Sequence, residues 1–82
     1  MNVIVYSTPT CPWCKKTRQF LKDHDVEFTD IDVSTDNEKA QEMIKKTGQM
    51  GVPVTAIKAT GDTGEQLIIG FDEPALKKAL NL

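Results

Sequence analysis

The sequence predicts an α/β domain, one mixed four-stranded sheet covered by helices in the order β-α-β-α-β-β-α. Three observations carry that expectation. In the first half, short β-branched runs alternate with segments of helical period, the pattern of a βαβ unit with parallel strands and a right-handed crossover. In the second half, two apolar runs flank a Gly-containing turn and read as an antiparallel hairpin. At 82 residues the chain is long enough for one compact domain and too short for two, so residues 1–82 are expected to fold as a unit.

Residues 3–6 (Val-Ile-Val-Tyr) form the first expected strand, being short, apolar and β-branched. Ser7-Thr8-Pro9-Thr10 is a turn cluster, followed by Cys11-Pro12-Trp13-Cys14. A helix is expected from Pro12, which suits a first turn because its missing N–H is not needed there. Cys14, Thr17, Leu21 and His24, with Phe20 beside them, mark its inner face, and Lys15, Lys16, Gln19, Lys22 and Asp23 its outer face.

Residues 26–33 alternate apolar and polar and predict a half-buried strand. Ser34, Thr35 and Asp36 offer caps for a second helix with Ala40, Met43, Ile44 and Thr47 on one face. Gly48 and Gly51 bracket a loop. The hairpin is expected from a strand over 52–57, a turn over 60–64 and a returning strand over 66–69, broken by Gly70. Asp72 is placed to cap a last helix with Pro74 in its first turn and Ala75, Leu76, Ala79 and Leu80 inward.

Composition narrows the function. A net charge of −2 provides no electrostatic footprint for nucleic acid or for an anionic membrane surface. No window approaches the roughly 18 apolar residues of a membrane span. The N-terminal run has neither the basic start nor the apolar length of a secretory signal, so a cytoplasmic setting is expected. Stable structural disulfides are rare there. The two cysteines of the chain, Cys11 and Cys14, therefore call for a chemical reading.

Cys-X-X-Cys directly after a strand and at the start of a helix puts both sulfurs on one side of the first turn. With Cys11 as N-cap, its sulfur faces the free N–H groups of Trp13 and Cys14 at the positive end of the helix dipole. Such sites lower a cysteine pKa from about 8.5 to between roughly 3.5 and 7.5. At pH 7 an unshifted thiol is only about 3% thiolate, so full ionisation raises the reactive fraction some 30-fold. Lower intrinsic nucleophilicity cancels a large part of that gain. Cys14, one turn inside, is expected to be more buried and less ionised. Cys11 is then the nucleophile that attacks a disulfide, and Cys14 resolves the mixed disulfide.

The segment Tyr6-Ser7-Thr8-Pro9-Thr10-Cys11-Pro12-Trp13-Cys14 resembles the active-site segment of glutaredoxins, and the element order resembles theirs too. The resemblance spans essentially the whole chain and implies a thioredoxin-like fold and dithiol thiol–disulfide oxidoreductase activity on protein or glutathione-mixed disulfides. Gly51-Val52-Pro53 falls where the family carries a cis-proline beside the cysteines. Gly70-Phe71-Asp72-Glu73 falls at its glycine-rich turn and acidic residues. By that resemblance the Val52 backbone pairs with the substrate chain and Pro53 shapes the groove. Gly70 and Asp72 hold the γ-glutamyl end of glutathione, and Trp13, in place of the usual tyrosine, forms one wall.

Two departures weaken the implied glutathione site: Thr8 replaces a basic residue, and Ile69 stands before Gly70 where glutaredoxins usually have a second glycine. Gly70-Phe71 also resembles redoxins that accept electrons from thioredoxin reductase, although their C-terminal signature with tryptophan and arginine is not present. Glutathione and thioredoxin reductase are therefore both candidate electron donors. No tightly bound cofactor is implied, and the default oligomeric state is a monomer.

Other readings of the pair carry less. Closing a four-residue loop contributes about 2 kcal/mol in the chain-entropy model against about 3 for a fifteen-residue loop, so Cys11–Cys14 is a poor staple. A closed zinc site needs four ligands, and one pair plus His24 does not supply them within one chain. The alternative function is a metal or iron–sulfur carrier or sensor that bridges two chains through the Cys-X-X-Cys pairs. A protein-interaction module with incidental cysteines is the third class.

Overall fold

A computed structural model describes residues 2–49, 51–58 and 65–80. The elements run β1 (Asn2–Ser7), α1 (Pro12–Asp23), β2 (Thr29–Asp32), α2 (Asn37–Thr47), β3 (Val54–Lys58), β4 (Gln66–Ile69) and α3 (Glu73–Leu80). The sheet order is β2-β1-β3-β4. β1 pairs with β2 in parallel and with β3 antiparallel, and β3 pairs with β4 antiparallel. This is the mixed four-stranded sheet and element order that the sequence predicts.

Side-chain alternation along the strands splits the core in two. Val3, Val5, Ile57 and Ile68 pack with Phe20 and Leu21 of α1 and with Leu76 and Leu80 of α3. Tyr6, Val54 and Ala56 pack with Met43 of α2. The period of two in β1 and β3 thus sends successive residues to opposite layers. A six-residue strand with both faces covered must be apolar nearly throughout, which is why β1 reads as a continuous apolar run.

The largest departures from expectation are at β2, at the end of α1 and at the start of β3. The strand expected over 26–33 is Thr29–Asp32. Its N-terminal part closes α1 instead: the Val26 N–H donates to Leu21 O at 2.9 Å and Asp25 N–H to Lys22 O at 3.1 Å. Asp25 takes φ 55°, so the segment forms a Schellman-type C-cap that uses the N–H groups a strand would need. Val26 and Phe28 still pack against the core. His24, expected on the inner face of α1, is exposed and caps that helix. β3 starts at Val54 rather than 52, directly after the cis Val52–Pro53 peptide. The expected turn over 60–64 lies outside the described residues.

The α2 helix is capped by Asp36, whose Oδ1 accepts from Lys39 N–H at 3.1 Å. It ends at Gly48 with φ 73°, a left-handed position that glycine adopts without penalty. Of its expected inner face only Met43 is fully buried, with Ala40, Ile44 and Thr47 half-buried. β4 and α3 coincide with expectation, and Asp72 caps α3 by accepting from Ala75 N–H at 3.2 Å.

The register Tyr6↔Val54↔Ile69 aligns one end of the sheet. From that end emerge the segment after β1 with the cysteines, the cis-Pro53 segment before β3, and the Gly70 turn after β4. Every segment of the candidate site is therefore anchored to one end of the sheet. Among the described residues, no helix is long and apolar enough to cross a membrane.

Candidate active site

Cys11 is the N-cap of α1, with extended backbone (φ −87°, ψ 116°). Its carbonyl accepts the first helical hydrogen bond from Lys15 at 3.2 Å, and its N–H donates to Thr8 O at 3.4 Å, which closes the turn after β1. Its Sγ accepts from the Cys14 N–H at 3.4 Å. Val52 O lies 4.0 Å from the same sulfur, so the residue before the cis-proline borders the nucleophile. Cys11 is partly accessible and Cys14 is fully buried, and both are free thiols.

The two sulfurs are driven apart in acidity. Partial burial of Cys11 opposes ionisation but is outweighed by the Cys14 thiol hydrogen bond, the backbone N–H groups of Cys14 and Trp13, and the Arg18 charge. Its pKa falls below the ordinary thiol value. Burial pushes Cys14 up to about 11, helped by the hydrogen bond its thiol donates to Cys11 and only partly offset by contact with the Thr8 backbone. A thiolate beside a retained thiol is the charge state that attack followed by resolution requires. The first turn of α1 contains no acidic side chain to oppose the dipole.

The remaining sequence-predicted site residues lie on the three segments that leave this end of the sheet. Trp13 is 54% exposed and stacks on Phe71 with ring centroids 6.4 Å apart. Lys16 lies over the Trp13 ring at 4.5 Å. Pro53 is buried, and its carbonyl accepts from Gly70 N–H at 2.7 Å. That bond ties the Gly70 turn to the cis-proline segment. Gly70 takes φ +78°, where an L side chain would be strained. Asp72 spends one carboxylate oxygen on the α3 cap and is exposed, so it remains reachable from solvent. Ile69, at 52% exposure, is the other large apolar side chain left open among the described residues.

Two residues at the site have roles that the sequence reading does not assign: Phe71, named only as part of the Gly70-Phe71 motif, and Arg18. Phe71 is wedged between Trp13 and Phe20, 6.0 Å from the latter in an edge-to-face contact. It fixes the turn after β4 against α1. Arg18 donates to Ser7 Oγ at 2.9 Å and lies 3.6 Å from Asp30. Helical spacing could have found it, since position 18 follows Cys14 by one turn. Among the described residues, no group of three or more His, Cys, Asp or Glu side chains could hold a metal ion.

The glutaredoxin family profile matches residues 3–60, from the first strand past the cis-proline. The chain belongs to the glutaredoxin family. It is similar to a glutaredoxin-like 8.6 kDa protein of the rubredoxin operon of Clostridium pasteurianum, 40% identical over 76 residues covering 93% of each chain. Glutaredoxin 3 of Escherichia coli K12 is 34% identical over 58 residues, covering 71% of this chain and 70% of that one. A glutaredoxin crystal structure from Archaeoglobus fulgidus superposes with a TM-score of 0.83 at 27% identity, over 99% of this chain and 87% of that one. Membership in this thioredoxin-superfamily family brings thiol–disulfide oxidoreductase activity in general.

Proposed function

We propose that this glutaredoxin reduces protein disulfides and glutathione-mixed disulfides by a dithiol route, with Cys11 as nucleophile and Cys14 as resolving thiol. The observation that carries the reading is the split at one helix terminus: Cys11 accessible and acidified, Cys14 buried and protonated.

The steps follow from that split. The Cys11 thiolate attacks one sulfur of the substrate disulfide; a Cys11–substrate bond forms, the substrate S–S bond breaks, and the departing thiolate takes a proton from water. Cys14 then gives its proton to the hydroxide so formed and attacks the Cys11 sulfur. The Cys11–Cys14 disulfide forms and the second substrate thiolate leaves. The substrate has gained two electrons and the protein has lost them. Two thiol equivalents or a flavin-type reductase must return them. In a glutathione route, a second glutathione attacks the glutathione sulfur of a Cys11 adduct, and Cys11 departs as a thiolate; its lowered pKa makes it a good leaving group in that step.

The groove is assigned by the same reading. The backbone of Val52 pairs with the substrate chain, Pro53 holds that backbone beside the sulfur, and Trp13 forms a wall stiffened by Phe71. Gly70 and Asp72 form the far rim, where the α3 N-terminus suits a carboxylate and the free Asp72 oxygen suits an ammonium group.

The test supplies the oxidised protein with NADPH and either glutathione plus glutathione reductase or thioredoxin reductase alone, using a glutathionylated peptide and a protein disulfide as substrates. Turnover with either donor supports the reading and identifies the donor. Cys11→Ser is expected to abolish turnover. Retention of activity in that variant, or no turnover with either donor, overturns it.

A further inference from the structure

Behind the cysteine pair lies a polar cluster that the Cys-X-X-Cys chemistry does not itself call for. Arg18 follows Cys14 by one helical turn and Cys11 by two, so it shares their side of α1. Helical side chains lean toward the N-terminus of their helix, which carries the guanidinium back toward the cysteine loop. There Nη1 donates to Ser7 Oγ at 2.9 Å and stands 3.6 Å from Asp30 Oδ2. Ser7 Oγ donates to the other Asp30 oxygen, closing a triangle. Ser7 is the last residue of β1 and is 1% exposed, so the hydroxyl is a fixed post rather than a surface contact.

Ser7, Arg18 and Asp30 line a hollow of about 240 Å³ together with Asp32 and with Pro9 of the cysteine loop. The charged groups around Arg18 are thus Asp30, which it engages, and Asp32, whose carboxylate is occupied by the Ser34 N–H and hydroxyl. Asp30 is exposed, so solvent screens this ion pair and it contributes little net stability. Stability alone is a weak reason for a guanidinium here. Its charge favours the ionised form at Cys11 and Cys14 alike, as the smallest of the named influences on either sulfur.

We propose that Arg18, pinned by Ser7 and Asp30, is a positioning residue of the redox pair: it holds a positive charge on the cysteine side of α1 and so adds to how readily the Cys11 sulfur attacks and departs. The inference rests on the nucleophile role proposed for Cys11. It adds a residue that touches neither substrate nor sulfur and acts through the field it places at the helix N-terminus.

The test is the pH profile of Cys11 alkylation by iodoacetamide in the reduced, full-length chain, read site by site by mass spectrometry. Arg18→Gln is expected to raise the midpoint by about half a pH unit, so that alkylation below the midpoint slows roughly threefold. Arg18→Lys, which keeps the charge, stays closer to the parent protein. An unshifted midpoint in Arg18→Gln, whatever its melting temperature, overturns the proposal. Equal shifts in the two variants also overturn it, because packing rather than charge would then be at work. Should Arg18→Gln fail to fold, Ser7→Ala carries the test: it leaves the charge but removes the hydrogen bond that holds it, and an unshifted midpoint contradicts the positioning role. Alkylation reads the sulfur and not turnover, so failure here leaves the dithiol reading standing, whereas an active Cys11→Ser would remove that reading itself.

Discussion

The Cys14 amide nitrogen lies 3.4 Å from the Cys11 sulfur, and the Cys14 thiol donates to that same sulfur, so one residue supplies two hydrogen bonds that favour the Cys11 thiolate. A hydrogen bond to the charged form lowers a pKa, and burial without such bonds raises it. Both effects act within one helical turn. The sign of the pH dependence follows: Cys11 alkylation should rise with pH with its midpoint below the ordinary thiol value, while Cys14, with its pKa pushed up to about 11, stays unreactive through neutral pH. Cys14→Ala removes the thiol donor and should move the Cys11 midpoint upward. Cys14→Ser keeps a donor there and should move it less. Labelling of Cys14 ahead of Cys11, or one common midpoint for both, would contradict this assignment.

At the scale of elements, the site depends on how three chain segments are pinned to one sheet end. The cysteine turn is held by Cys11 N–H to Thr8 O, the cis-proline segment by Gly70 N–H to Pro53 O, and the turn after β4 by Phe71 packed between Trp13 and Phe20. Asp72 serves this arrangement as the cap of α3. Replacement of a capping Asp by Ala costs about 1 kcal/mol, whereas Asn caps nearly as well. Asp72→Ala should therefore lower stability by about that amount in urea denaturation. Asp72→Asn should keep the stability yet raise KM for glutathione-mixed disulfides, because the lost charge matters only to a bound ammonium group. An unchanged KM in Asp72→Asn would reduce Asp72 to a cap.

For the whole molecule, stability rests on the layer between the sheet and α1 with α3. Leu21 and Leu76 are both fully buried there. Truncating either to Ala should cost between about 2 and 5 kcal/mol, measured by denaturant unfolding, which is a large share of the total stability of a domain this small. Most of this architecture was legible in the chain. β1, β4 and the helices announce themselves through β-branched runs, period and caps, and Cys11, Pro12 and Cys14 mark the site by spacing alone. The strand expected over 26–33 was not legible in full, because its alternation says nothing of the Schellman-type closure that draws Val26 back to Leu21. His24 has helical spacing for the inner face yet caps the helix in solvent, since the helix ends before that face continues. Arg18 and Phe71 were not legible either: their roles arise from partners on other segments, Ser7 and Asp30 for one and Trp13 for the other. Periodicity reports which side of an element a residue occupies and not what it meets there.

The central claim is that Cys11 attacks and Cys14 resolves, and the most direct measurement is the intact mass of Cys14→Ser and Cys11→Ser after exposure to a glutathionylated peptide. The account predicts a stable mixed disulfide on Cys11 in Cys14→Ser and no adduct on Cys14 in Cys11→Ser at neutral pH. An adduct on Cys14 in Cys11→Ser, or none on Cys11 in Cys14→Ser, would contradict it.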